Sequence, residues 1–306
     1  MLTIDAIQNV LIVGAGTMGQ QIGLQCALHG YDVALYDVDP AALETAASRI
    51  DGYLDAFVRG GHLPAAQRAA VRRRLRLTTD AAAAAANADL LSESVPEDPA
   101  LKGKVLAQFH DLCPAHTLFT TNSSTLLPSM FAPATKRPSQ FAALHFHLPV
   151  WVANVVDVMP HPGTDPDVVP LLVAFARRIG QIPILLEKEH SGYVFNTMLS
   201  GLIRSALSLV VDGVATPEDV DRAWMGCMKT PVGPFGIQDQ IGLDTVWKIT
   251  DFWAQKTGDR TGRAHADFLK QFLDAGHAGV KSGRGFYAYP QPAYEQPGFL
   301  AGEIGD

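Results

Sequence analysis

The chain has 306 residues, 47% hydrophobic and 18% charged, with a formal net charge of −7 at pH 7. That length supports two ordinary domains, and the balance is that of a folded protein, neither disordered nor fibrous. The negative charge argues against nucleic acid and anionic membrane as partners, so any anionic ligand must be held by a local feature.

Three cysteines, Cys26, Cys113 and Cys227, lie far apart without metal-ligand spacing. They read as small core residues in a reducing cytoplasm, and no metal site is expected. The opening MLTIDAIQNVLIVG lacks a basic region, and its apolar run is too short for a signal or an anchor. No stretch reaches membrane-spanning length, so a soluble cytoplasmic protein is expected.

From Val10 to Glu187 short apolar runs alternate with helical patterns. Val10–Val13 reads as a buried strand, Gln20–His29 as a helix stopped by Gly30, and Val33–Tyr36 as a second strand. Asp39-Pro40 then gives an N-cap and a first-turn proline. Further strands are expected at Leu75–Leu77, Leu90–Val95, Leu118–Thr121, Phe141–His145, Val155–Met159 and Ile182–Leu186, with a short helix at Ala81–Ala86. Strands separated by helices imply parallel crossovers and a doubly wound α/β sheet of Rossmann type.

After Glu187 the pattern becomes helical, and EKEHSG reads as a hinge. The expected domains are 1–188, binding a dinucleotide, and 189–306, all-helical. Val194–Val211 is apolar on nearly every side, so burial from several directions is expected, including a homodimer interface. Thr216-Pro217-Glu218-Asp219 opens the next helix with an N-cap and acids in its first turn.

The strongest local signal is NVLIVGAGTMGQQIG. Gly14-x-Gly16-x-x-Gly19 follows a strand and opens a helix: one glycine for the tight turn, one for close approach of a pyrophosphate, one for helix–strand packing. Thr17 and Met18 lie at the junction, where helix N–H groups face the phosphates. Asp37 ends the second strand, where a carboxylate accepts from ribose hydroxyls and repels the 2′-phosphate of NADP. NAD is therefore favoured, although FAD fits the glycines equally.

Oxidation of a secondary alcohol needs a base tuned near neutral pH, and histidine suits it. His145 ends a strand of the α/β domain, where strand C-termini face the cofactor crevice. Asp157, on the next extended segment, is placed to orient that imidazole and stabilise its protonated form. A structural or solvent-facing role is expected for His147.

GAGTMG, SESVPED, TTNSST, LHFHLPVWVANVVDV, TPVGPFGIQDQIGLD and the closing GRGFYAYP together resemble the L-3-hydroxyacyl-CoA dehydrogenase family, along nearly the whole chain. That family also includes gulonate and carnitine dehydrogenases and a lens crystallin. The resemblance favours NAD over FAD. It implies His145 as base, Asp157 in place of the family's orienting Glu, Ser124 and Asn196 as substrate-binding residues, and Asn122, Glu97 and Lys102 near the cofactor.

Two departures stand out. The family's His-Phe-x-Asn-Pro is here His145-Phe146-His147-Leu148-Pro149, so an amide is replaced by Leu148, and Asp157 is one methylene shorter than Glu. The implied reaction is reversible oxidation of an L-3-hydroxyacyl-CoA. The alternatives are oxidation of a free hydroxy acid, or a crystallin-like protein that binds NAD with little turnover. Arg59 and Arg72–Arg74 are the nearest candidates for coenzyme A phosphates.

Overall fold

A computed structural model of the chain describes residues 2–303. It divides into two compact units, Met1–Val194 and Phe195–Asp306.

The first unit runs β1 (Asn9–Val13), α1 (Thr17–Leu28), β2 (Asp32–Tyr36), α2 (Pro40–Arg59), α3 (Ala65–Arg73), β3 (Leu75–Thr78), α4 (Ala81–Ala85), β4 (Leu90–Glu93), α5 (Pro99–Leu112), β5 (Leu118–Thr121), β6 (Phe141–Phe146), β7 (Val155–Pro160), α6 (Val168–Arg178) and β8 (Ile182–Leu185). The eight strands form one sheet in the order β3-β2-β1-β4-β5-β6-β7-β8. Leu11, Ile12, Leu35, Leu91 and Phe119 are buried to 0% exposure, as strands covered on both faces require. Two cores form: Ile12 and Leu35 lie in one with α1, α2 and α6, and Leu11 and Phe119 in the other with α4 and α5. Asp39 caps α2 by accepting from the Ala41 N–H at 2.9 Å.

One pairing departs from the all-parallel expectation. β6 and β7 are antiparallel. Only residues 147–154 join them, too few for the dozen or so that a parallel crossover needs. This reversal has a chemical consequence, because its register sets His145 directly opposite Asp157.

The segment read as a hinge is fastened to the first unit. Glu189 accepts from the Ser129 N–H at 2.7 Å, Ser191 donates to the Thr125 carbonyl at 2.8 Å, and Tyr193 donates to the Ser123 carbonyl at 2.7 Å. The chain therefore leaves this unit only after Val194.

The second unit consists of α7 (Phe195–Val211), α8 (Pro217–Met228), α9 (Pro234–Ile241), α10 (Leu243–Thr257), α11 (Arg260–Asp274) and short 3-10 turns. Thr216 caps α8 as its sequence suggests. The apolar coat of α7 is covered on one side only: Ala206 and Leu207 are buried, while Phe195 and Met198 are 47% and 63% exposed. Four further helices do not enclose a helix so uniformly apolar. Cys227 also departs from expectation, being exposed where Cys26 and Cys113 are buried.

The GRGFYAYP close has a physical reason in two buried carboxylates. Asp239 accepts from the Phe286 and Tyr287 N–H groups, each at 2.9 Å, and from the Tyr289 hydroxyl at 3.0 Å. Asp221 accepts from Phe235 and Gly236 N–H groups and from the Tyr287 hydroxyl, although burial pushes its carboxyl up to about 6. A Cβ on Gly285 would stand 1.9 Å from Asp239 Oδ1. Gly285→Ala is therefore expected to destabilise this unit by about 3 kcal/mol, since a charged acceptor loses buried donors. Chemical denaturation checks it; an unchanged midpoint would mean that the loop relaxes at no cost.

Among the described residues no helix is long and apolar enough to cross a membrane.

Candidate active site

The glycine loop joins β1 to α1, and its three glycines differ in what surrounds them. Gly14 has φ +107°, with the Ser94 carbonyl oxygen 2.7 Å from where a Cβ would sit. A Cβ on Gly19 would meet the Gly14 carbonyl oxygen at 1.9 Å, so α1 could not pack against the loop. Gly16 faces open space, with no atom within 4 Å of that position. It is also the N-cap of α1 and supplies no capping side chain, which leaves first-turn N–H groups to face a ligand.

Ala15, Gly16, Thr17 and Asp39 line a cleft of about 320 Å³ with the start of α2. Met18 turns partly into the core instead. Asp37, after β2, accepts from the Ala15 N–H at 2.8 Å and the Asp39 N–H at 3.0 Å. Its carboxylate is thus held at the loop, in position for a ribose. Loop, open helix end and acid fit a dinucleotide.

The second cluster grows from the reversed β6–β7 pair. Directly opposed residues bring their Cβ atoms to about 5 Å, close enough for two short side chains to meet. His145 Nδ1 lies 3.0 Å from Asp157 Oδ2, so the shorter acid reaches the imidazole without a bridging water. His147 is two residues on and shares that face by the strand's period of two. Its Nε2 lies 2.9 Å from the same Oδ2, a structural contact, which is one of the two roles expected of it. Asp157 Oδ1 is buried, and among the described residues none donates to it. The three donor atoms are close enough for a metal ion to bridge, but two nitrogens at hydrogen-bond distance from one oxygen describe two N–H donors sharing an acceptor.

With Nδ1–H donated to Asp157, Nε2 of His145 keeps its lone pair, a tautomer assigned from these contacts. Ser124 Oγ lies 3.1 Å from that nitrogen and donates to it. Tyr193 stacks on the imidazole at 4.4 Å between centroids and 6° between planes, which fixes the ring's orientation. Burial pushes the His145 imidazole below the ordinary histidine value, against the pull of Asp157, and the positive field of His147 lowers it further. For Asp157, burial acts upward, but the hydrogen bonds from both histidines outweigh it and keep the carboxyl below its usual range. A neutral imidazole beside an ionised carboxylate is the resting state these shifts describe.

The loop carrying Ser124 is organised by Glu97. One oxygen, Oε1, accepts from the Ser123 hydroxyl at 2.6 Å, the Ser124 N–H at 3.0 Å, and the Thr125 N–H and hydroxyl at 2.9 Å each. Burial opposes its ionisation, but the Ser123 hydrogen bond and the Lys102 charge keep Glu97 below the normal range. Lys102 is itself buried, with its ammonium 2.8 Å from Glu93, 3.4 Å from Glu97 and 3.2 Å from the Val95 carbonyl. Its three donors are engaged inside the protein. Asn122 Oδ1 accepts from the Phe146 N–H at 2.8 Å, which ties this loop to the end of β6.

His145, Asp157, Ser124, Asn122, Glu97 and Lys102 are thus joined in one connected network. Asn196 stands half-buried in the first turn of α7, in the other unit. The sequence did not single out Glu93 or Tyr193; it gave His147 a structural or solvent-facing role without the shared acid, although the period-two spacing from His145 was a readable signal. Among the candidate arginines, Arg72 lies 3.4 Å from Asp51 and Arg74 2.9 Å from Asp32. The Arg74–Asp32 pair is exposed and the Arg72–Asp51 pair half-buried, both of the near-surface kind that contributes little.

Comparison with known proteins agrees with this layout. The NAD binding domain of 3-hydroxyacyl-CoA dehydrogenase matches residues 9–190, and the C-terminal domain of that enzyme matches residues 192–289. A probable 3-hydroxybutyryl-CoA dehydrogenase of Bacillus subtilis is 31% identical, over 93% of this chain and 98% of its own length. Among solved structures, a diketoreductase acting on dicarbonyl compounds has a TM-score of 0.87 and 39% identity, covering 94% of this chain and 100% of its own. The (S)-3-hydroxybutyryl-CoA dehydrogenase of Ralstonia eutropha has a TM-score of 0.83 and 29% identity, covering 93% and 100%. With both domain models matched in order, the chain belongs to the 3-hydroxyacyl-CoA dehydrogenase family and is an NAD-dependent oxidoreductase.

Proposed function

We propose that the protein interconverts an L-3-hydroxyacyl-CoA and the 3-ketoacyl-CoA, with His145 as base in the oxidative direction and acid in the reverse. The carrying observation is the connected Ser124–His145–Asp157 line, at 3.1 Å and 3.0 Å, on an imidazole kept neutral by burial. NAD, when bound, supplies the hydride acceptor. His145 Nε2 takes the hydroxyl proton, and Asp157 stabilises the imidazolium that forms. The Ser124 hydroxyl, held by the Glu97 clamp, turns from Nε2 toward the substrate oxygen and donates to the charge developing there. Gly14, Gly16, Thr17, Met18, Gly19 and Asp37 form the cofactor site, Glu97, Lys102 and Asn122 support it, and Asn196 adds a substrate contact. The unit after Val194 serves as the substrate and dimerisation domain. The protein acts in the cytoplasm as a homodimer; the exposed Phe195 and Met198 support the apolar interface.

A second reading keeps the chemistry but takes a free dicarbonyl or hydroxy acid. It is favoured by Leu148, 45% exposed where the family has an amide, and by the 39% identity to a diketoreductase. Turnover of NADH with acetoacetyl-CoA, beside free acetoacetate and an NADPH control, tests both. Fast thioester turnover with NADH alone is the expected result. Turnover confined to the free acid would replace the first reading by the second.

A further inference from the structure

Two histidines converge on one oxygen of Asp157, and the mechanism above uses only one. His147 Nε2 is 2.9 Å from Oδ2 and His145 Nδ1 is 3.0 Å, with the two rings edge to face at 4.7 Å between centroids. Among the described residues none donates to Oδ1, so the protein donors to this buried charge converge on Oδ2. Asp157 is fully buried, His145 3% exposed and the His147 side chain 11% exposed. In water the second donor would add little; in this interior an N–H dipole so close acts strongly.

We propose that His147 is a positioning residue that tunes the base: by sharing Asp157 Oδ2 it lowers the basicity of His145 and extends oxidation to lower pH. This rests on His145 as the base. Each donor that Oδ2 accepts withdraws charge from the other, and the positive end of the His147 N–H lies on the side where the imidazolium would form. The unit also shares its protons: a charge on His147 disfavours a second on His145, because both rings face one carboxylate.

The other titratable groups around the imidazole act differently. Glu97, from the loop after β4, favours the imidazolium through its negative charge. Tyr193, stacked from the segment after β8, is pushed far up by burial and stays a neutral phenol. Removing His147 alone therefore shifts the balance toward the imidazolium. The sign follows: oxidation needs neutral His145, so a raised value moves the acid limb to higher pH.

The test titrates the His145 ring by NMR in the protein without cofactor, and measures the acid limb of kcat/KM for oxidation in parallel. The variants are His147→Phe, which keeps a ring without a donor, His147→Gln, whose amide reaches the Nε2 position, and His147→Asn, whose amide stops short. Phe and Asn are expected to raise both the midpoint and the limb by roughly half a pH unit or more, and Gln to return them toward wild type. A midpoint unmoved or lowered in Phe and Asn would overturn the inference, as would identical behaviour of Gln and Asn. If the Phe variant does not fold, the Gln and Asn pair decides alone. His145→Ala is the control: turnover surviving in it would overturn the base reading itself, whereas a dead control with an unmoved midpoint would overturn only the role of His147.

Discussion

His145→Ala is expected to lower kcat by roughly a thousandfold or more, about 4 kcal/mol of transition-state stabilisation, while NADH affinity stays unchanged. The separation is structural. The proposed cofactor site uses the loop after β1 and Asp37 after β2, whereas His145 is the penultimate residue of β6, three strands from β1 in the sheet order. The loss should fall on kcat, because His145 makes its decisive proton contact in the transition state. Removing the ring also takes away the surface on which Tyr193 stacks, so some loss of stability is expected beside the loss of turnover. Steady-state kinetics and fluorescence titration of NADH check the two halves. A fall of less than about tenfold would mean that another group accepts the proton.

Asp157→Asn should cost nearly as much, about a hundredfold to ten-thousandfold in kcat, by analogy with the effect of the same change on a serine protease triad. The side chain is close to isosteric, so packing is retained and chemistry is what changes. An amide oxygen turned toward His145 still orients the ring but carries no charge to stabilise the imidazolium. An amide NH2 turned toward it demands the other tautomer, with Nε2 protonated and unable to accept. Without the Asp157 charge, burial and His147 act against Glu97 alone, and the acid limb of the pH profile moves down, opposite in sign to the shift expected for His147→Phe. Wild-type kcat in Asp157→Asn would contradict the assignment.

Much of this was legible because periodicity and glycine placement are local. The parallel strands read as continuous apolar runs, since both faces are covered, and of the three glycines Gly14 and Gly19 meet steric limits while Gly16 leaves room for a ligand. His145 and Asp157 were legible as candidates, but their contact was not. It depends on the reversal of β7, which is a matter of connection length and not of any residue in the pair. Tyr193 was invisible for a similar reason: its hydroxyl reaches a loop seventy positions away in sequence, and its ring face meets His145 in β6. Lys102 was foreseen by resemblance as lying near the cofactor. The fold places its ammonium among Glu93, Glu97 and a carbonyl, contacts that the resemblance did not specify. The coat of α7 was legible as a face needing cover, and its own unit covers only part of it, because apolarity shows the need without naming the partner.

In the proposed function one chain couples an NAD site to the His145–Asp157 dyad for work on a hydroxyacyl thioester. A single-turnover experiment isolates that coupling: enzyme carrying one equivalent of NADH is mixed with acetoacetyl-CoA, for wild type, His145→Ala and Asp157→Asn. Rapid loss of NADH absorbance is expected in wild type and persistence in both variants, with NADH bound equally in all three. NADH that survives acetoacetyl-CoA in the wild type, or that disappears as fast without His145, would contradict it.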